Sequence, residues 1–383
     1  VLKNFSAQKR RLSILALALL ALAPATANAA DAAPPMPQYK IDINWPKLPL
    51  PNNWTFGLVG GIFVDSRDHV YIYHSPSLAP RHALSAAATP KRGKCCIAAP
   101  HVVEFDKAGN VVRTFGGPGE GYDWPSSEHG LYVDYKGNVW LGGSQTRPGQ
   151  KGEPADGMVL KFSPEGKFLM QIGGRGPSKG STDATQLSGA ANFFVDPADN
   201  EVYIADGYGN HRVIVFDADT GKFKRQWGAY GKPPTDDDIG PYDPAAKPAQ
   251  QFRIAHCVRV SKDGFVYVCD RLNNRIQVFK KDGTYVTEWI YDKETLQSGS
   301  VGSIAFWPDA KQTLLGINDM GNSQIRFVNR ADGKVVGNFG WYGSWAGELM
   351  RPHEAAFDSE GNLYTSEDYR VQKFARRGGP PVK

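Results

Sequence analysis

The chain has 383 residues, and its 44 Lys and Arg against 39 Asp and Glu give a formal charge of +5. Four of those cations, Lys3, Lys9, Arg10 and Arg11, lie at the extreme N-terminus, so the remainder is close to neutral. No basic stripe interleaved with aromatics occurs, and nucleic acid is not an expected partner.

From the N-terminus, the basic cluster precedes an apolar run from Leu12 to Ala23, and a small-residue site follows at Ala27-Asn28-Ala29. This is the layout of a cleaved secretory signal, expected over residues 1–30. The run is too short to span a bilayer, and no later stretch approaches the roughly 20 apolar residues a spanning helix needs. An exported protein is expected, periplasmic or secreted, with no membrane span after signal removal; an uncleaved anchor is the alternative reading of the segment.

The remaining chain is longer than one ordinary domain, yet it is repetitive. Each unit has an apolar strand ending near Asp, a turn with Gly or Asn, a second apolar strand, a polar loop and a third strand ending in Phe. GIFVDSRDHVYIYH opens the first unit, GLYVDYKGNVWLGG the second, and EAAFDSEGNLYTSEDYRVQKF forms the last. Asp65, Asp134, Asp196, Ser261, Trp307 and Asp358 anchor six units whose shortest steps are 46 and 51 residues, with Gly/Pro-rich insertions near 75–100, 143–156 and 228–251. Short alternating strands with Asp-Gly or Gly-Asn turns at this spacing predict an all-β, six-bladed β-propeller over residues 51–376. The last unit lacks a fourth strand. The 31–50 segment, through alternating Ile41 and Ile43 between Tyr39 and Trp45, is the candidate to supply it and remove an exposed edge. Residues 377–383 are a tail.

Cys257 and Cys269 are placed symmetrically about Lys262-Asp263-Gly264, so a hairpin there sets them opposite each other at disulfide distance. Cys95 and Cys96 are adjacent and are open to a vicinal disulfide, a metal, or neither role.

Five residues before the anchors stand Gly60, His129, Ala191, His256, Gly302 and His353. Three of the eight histidines thus share one repeat position, at the axial end of the innermost strands. Three converging imidazoles are what a catalytic zinc needs, with a fourth position open. The competing reading for each is a hydrogen-bonded filler at a strand end. His69, His74, His82, His101 and His211 lack the pattern and are read as surface or loop residues. In a blade, residues just after the second strand share the face of those just before the first, which brings Tyr208 and Arg271 to the same mouth. Nearby zinc and a guanidinium favour an ionised phenol, and Arg271 is able to clamp a carboxylate. The alternative is a Tyr that packs the loop and an Arg paired with Asp206 or Asp270.

The segments VYIADGYGNHRVIVF and VYVCDRLNNRIQVF resemble NHL repeats, and the arrangement over roughly residues 50 to 375 resembles the peptidyl-α-hydroxyglycine α-amidating lyases. The resemblance implies zinc on His129, His256 and His353, Tyr208 as catalytic base, and Arg271 as an active-site arginine. It also implies a structural calcium on Glu354 with the carbonyls of Leu131 and Val59; Glu354 stands where the family uses Asp. The family's second active-site arginine follows a histidine, whereas here Ser75 follows His74 and Arg81 is the nearest candidate. Arg351 replaces a methionine beside the last ligand and joins Arg271 and Arg81 as a substrate-binding candidate. Gly209 takes the place of a cysteine that ties the family's tyrosine loop. The implied reaction cleaves a carbinolamide N–C bond of a small-molecule or peptide substrate, releasing an amide and glyoxylate. With no copper monooxygenase domain legible, only the second step of amidation is expected, from a monomer. Two rivals are a non-enzymatic propeller that binds a protein or glycan, and a metal-dependent lactone or ester hydrolase.

Overall fold

The computed structural model describes residues 34–78, 92–144 and 156–382. The signal segment and Arg81 lie outside the described residues. Among the described residues, no helix is long and apolar enough to cross a membrane.

The strands form six four-stranded antiparallel sheets in a six-bladed β-propeller. The innermost strands are Leu58–Val64, Glu128–Val133, Ala190–Asp196, Ala255–Val260, Ser303–Phe306 and Glu354–Phe357. Each packs on the next, and the last packs on the first. Anchor aspartates explain where the inner hairpins of blades one, two, three and six turn. Asp134 Oδ1 accepts the N–H groups of Lys136 and Asn138, both at 2.9 Å, and its Oδ2 takes the Trp140 indole N–H at 2.9 Å. Asp65 and Asp358 hold their own turns in the same way. An Asp side chain that mimics a backbone turn acceptor supplies this local stop signal. Gly137 completes the Asp134 turn at φ +80°, where a Cβ is disfavoured.

Between blades the strand faces bury alternating apolar residues. Tyr203, Val213 and Val215 of blade three meet Val258, Val266 and Phe279 of blade four, all essentially inaccessible. Truncating one of the larger of these side chains to Ala costs about 3–5 kcal/mol.

Ring closure is mixed. The last blade takes three strands from the C-terminal end, and its fourth is Gln38–Ile41, antiparallel to Val371–Gly378. The expected alternation does not run on through Ile43, which is 73% exposed. Asp42 N–H instead bonds the Lys373 carbonyl at 2.8 Å, and the chain turns to bury Trp45 against Phe105 and Tyr364. Burying one large indole outweighs continuing a strand by two residues. Cys257 and Cys269 are directly opposite in register and disulfide-bonded, and Cys95 is joined to Cys96.

Candidate active site

The six positions five residues before the anchors, at the starts of the inner strands, form one ring in which histidines alternate with Gly60, Ala191 and Gly302. His129 Nδ1 bonds the Ala191 carbonyl at 2.7 Å, and His256 Nδ1 bonds the Gly302 carbonyl at 2.6 Å. His353 Nδ1 faces the Gly60 carbonyl, which raises its pKa, without a hydrogen bond of normal geometry. Each histidine therefore leans on the equivalent residue of the next, histidine-free blade. A carbonyl only accepts, so the proton sits on Nδ1 and the lone pair on Nε2 points to the axis. Bulges between Val59 and Gly61, His129 and Leu131, Ala190 and Asn192, and Ala255 and Cys257 break the ladder at this level and aim these residues.

One ligand atom from each of the three histidines lies within 4.8 Å of the others. The rings meet nearly at right angles, at 84–87°, with centroids 4.6–5.4 Å apart. Burial, reinforced by Arg271 and Arg351, holds His129 down at about 4 against the pull of the Ala191 carbonyl. Burial likewise pushes His256 and His353 well below the ordinary imidazole value, with Arg271 and the neighbouring imidazoles acting in the same direction. The trio is neutral, and its lone pairs converge in a water-poor pocket. That donor set suits a metal ion bound by three imidazoles with a position left open.

Tyr208 Oη stands 3.0 Å from His129 Nε2 and 2.9 Å from His256 Nε2. One hydroxyl proton cannot serve two lone pairs, a second sign that the site is shaped for a cation. Arg271 Nη1 donates to the same oxygen at 3.2 Å, and its guanidinium lies 5.6 Å from the Tyr208 ring centre. Burial pushes the phenol up, and Arg271 and Arg351 pull it down. In this protein-only environment burial wins, so the guanidinium alone does not ionise Tyr208. Arg271 is spared from pairing with the neighbouring acids because Arg212 takes Asp206 and Arg275 takes Asp270, both at 2.9 Å and fully buried.

The other candidates fall differently. Arg351 is at the mouth with φ +51°, but it is tied to Asp368 at 2.6 Å. His74 is wholly buried rather than at the surface: its Nδ1 accepts the Gly57 N–H at 3.1 Å and its Nε2 donates to the Pro100 carbonyl at 2.9 Å. Ser75 is buried too, donating at 2.5 Å to Glu128, which also takes His101 Nδ1 and the Trp124 indole. No arginine contacts that position among the described residues, and Arg271 is the guanidinium that touches the Tyr–His cluster.

The calcium reading does not fit. Glu354 is buried with Oε2 accepting the Ile62 N–H at 3.2 Å and Oε1 accepting the Asn192 amide. Burial lifts its carboxyl to about 7, while Arg259 and these two donors pull it down. Calcium takes six to eight oxygens, whereas the carboxylate here is surrounded by N–H donors and a guanidinium. Asn192 and Arg259, on the inner strands of blades three and four, carry no sequence signal of this role beyond their place in the repeat.

Fold and site together define a six-bladed β-propeller with a histidine-ringed axis. The NHL repeat family matches residues 252–279, within blade four. Peptidylglycine alpha-amidating monooxygenase of Rattus norvegicus is 25% identical over 342 residues, covering 86% of this chain and 30% of that protein. The chain thus spans less than a third of that relative's length. NHL repeat-containing protein 3 of Homo sapiens is 27% identical over 286 residues, 72% of this chain and 66% of that protein. A structural genomics protein of unknown function from Bacteroides thetaiotaomicron shares the fold with a TM-score of 0.51 at 14% identity, over 90% of this chain and 73% of that one. The chain is a six-bladed β-propeller with an NHL repeat in its fourth blade, and it is similar in sequence to peptidylglycine alpha-amidating monooxygenase and to NHL repeat-containing protein 3.

Proposed function

We propose that this chain is an exported, zinc-dependent lyase that cleaves the N–C bond of an N-acyl-α-hydroxyglycine. The carrying observation is the convergence of three neutral imidazole Nε2 atoms with Tyr208 and Arg271 at one axial mouth. Zinc, held by His129, His256 and His353, would act there as Lewis acid and template for the α-hydroxyl group. Tyr208 as phenolate takes the hydroxyl proton. The O–H electron pair becomes the new C=O bond, the C–N bond breaks, and the departing amide nitrogen gains a proton. The products are an acyl amide and glyoxylate, and no water is consumed. Arg271 is placed to hold the substrate carboxylate and to favour the phenolate.

A binding propeller is the rival, because NHL repeat-containing protein 3, whose name states no activity, matches at an identity similar to that of the amidating relative. Glyoxylate release from an N-acyl-α-hydroxyglycine by the zinc-loaded protein separates the two. Absence of both turnover and bound metal assigns the chain to the binder, and cleavage of esters without an α-hydroxyl requirement assigns it to hydrolysis.

A further inference from the structure

At the opposite end of the axis, two residues before each anchor, the inner strands place Phe63, Tyr132, Phe194, Arg259, Ala305 and Ala356 at one shared level. They line a cavity of about 190 Å³ to which all six inner strands contribute. Its contents are unequal around the ring. Tyr132 packs edge-on against Phe63 at 4.7 Å and tilted against Phe194 at 5.0 Å, which makes a continuous aromatic wall. The two alanines opposite leave the open lobe.

Arg259 is the one charged residue lining this cavity, and it is only 8% exposed. All its hydrogen bonds leave from Nη1, to Asn192 Oδ1, the Phe193 carbonyl at 3.3 Å and the Val258 carbonyl at 2.9 Å. Nε and Nη2 donate to none of the described residues. Glu354 attracts it through space and is hydrogen-bonded to it only by way of the Asn192 amide. A guanidinium is a fork built for two parallel bonds to a carboxylate. Three acceptors sharing the two N–H groups of Nη1 fix this fork in place, so little freedom remains to be lost on binding.

We infer that this lower mouth is a binding site for a monocarboxylate with an apolar body. Its carboxylate accepts from Arg259 Nε and Nη2, and its ring or short acyl chain lies against the aromatic wall in the space over Ala305 and Ala356. The site is separate from the histidine mouth and does not depend on the lyase reading.

Sodium benzoate is the probe, titrated calorimetrically into the purified protein at constant ionic strength, with benzamide as the neutral isostere and sodium phosphate as the compact anion. Saturable benzoate binding is expected, with benzamide and phosphate each weaker by about 10-fold or more, the worth of a hydrogen bond to a charged group. Arg259→Gln is expected to weaken benzoate by the same factor. Ala305→Trp, which fills the lobe and leaves the Arg259 hydrogen bonds intact, is expected to abolish binding and supplies the test if the first variant does not fold. Equal binding of benzoate and benzamide, or of benzoate and phosphate, overturns the inference. So does a benzoate signal that survives Ala305→Trp but is lost in Arg271→Gln, which places it at the upper mouth.

Discussion

Replacing Tyr208 by Phe removes one oxygen from the centre of the site and little else. The ring's edge-on packing against His129 and His256, with centroids at 5.2 and 5.5 Å, is available to Phe as well. What disappears is an oxygen 3.0 and 2.9 Å from two Nε2 atoms and 3.2 Å from the Arg271 fork. If Tyr208 is the base, turnover falls by about 10²–10⁴-fold, the range for a positioned proton acceptor, or about 3–5 kcal/mol of transition-state stabilisation. Zinc should stay, because all three histidine nitrogens and the carbonyls that orient two of them are untouched. The metal-free protein behaves differently. Its buried Nε2 lone pairs lose the only nearby hydroxyl, and the unsatisfied groups cost about 1–3 kcal/mol of stability. Glyoxylate release, elemental analysis and thermal unfolding with and without metal read the three effects on one sample. Full turnover with zinc retained would refute the assignment of Tyr208 while leaving the histidine ring standing.

His256→Ala, by contrast, is expected to lose metal and activity together, measured by elemental analysis beside the glyoxylate assay; zinc at one per chain in this variant would remove His256 from the ligand set. Alkylation without reductant, followed by mass spectrometry, should leave Cys257 and Cys269 unlabelled, and two labelled thiols there would mean that the bridge does not form. His74 gives a pH dependence. Burial holds its folded pKa near 4, below the 6.5 of an unfolded imidazole, so between these values the unfolded chain binds a proton that the native one refuses. The contribution is therefore fully present above about pH 6.5 and is lost as pH falls towards 4, by about 3 kcal/mol in all. His74→Gln, whose amide can both accept from Gly57 and donate to Pro100, should flatten the melting temperature across that window; an unchanged slope would assign the acid sensitivity to other groups.

The blades were legible because each inner hairpin carries its stop signal locally. An Asp followed by a Gly-Asn turn writes the repeat length into the sequence, as the bonds of Asp134 and Asp358 show. The histidine ring was legible for the same reason, since a residue at fixed distance from such an anchor has a fixed height on the axis. Ring closure was only half legible. Alternation at Ile41 and Ile43 announced a strand, but the competing burial of Trp45 between Phe105 and Tyr364 is a long-range contact that no local pattern encodes.

Polar partners chosen across the axis were not legible by the same logic, since spacing fixes a residue's height but not which neighbour it meets. Glu354 looked like an ion ligand because it follows His353, yet its amide partner Asn192 comes from blade three and the Arg259 that polarises that amide from blade four. Ser75 looked like a missing arginine, and the structure shows the vacancy compensated by a different use of the position, with Glu128, His101 and Trp124 satisfying one another around it. The register nonetheless held more than was read from it. The position five before each anchor gathers the three histidines, and its three histidine-free members, Gly60, Ala191 and Gly302, are the carbonyls facing them. The position two before each anchor sets a lone arginine among aromatics and alanines on a closed ring. A cation at such a height has no route to bulk water except along the axis, so it must face a partner in the channel or a ligand entering it.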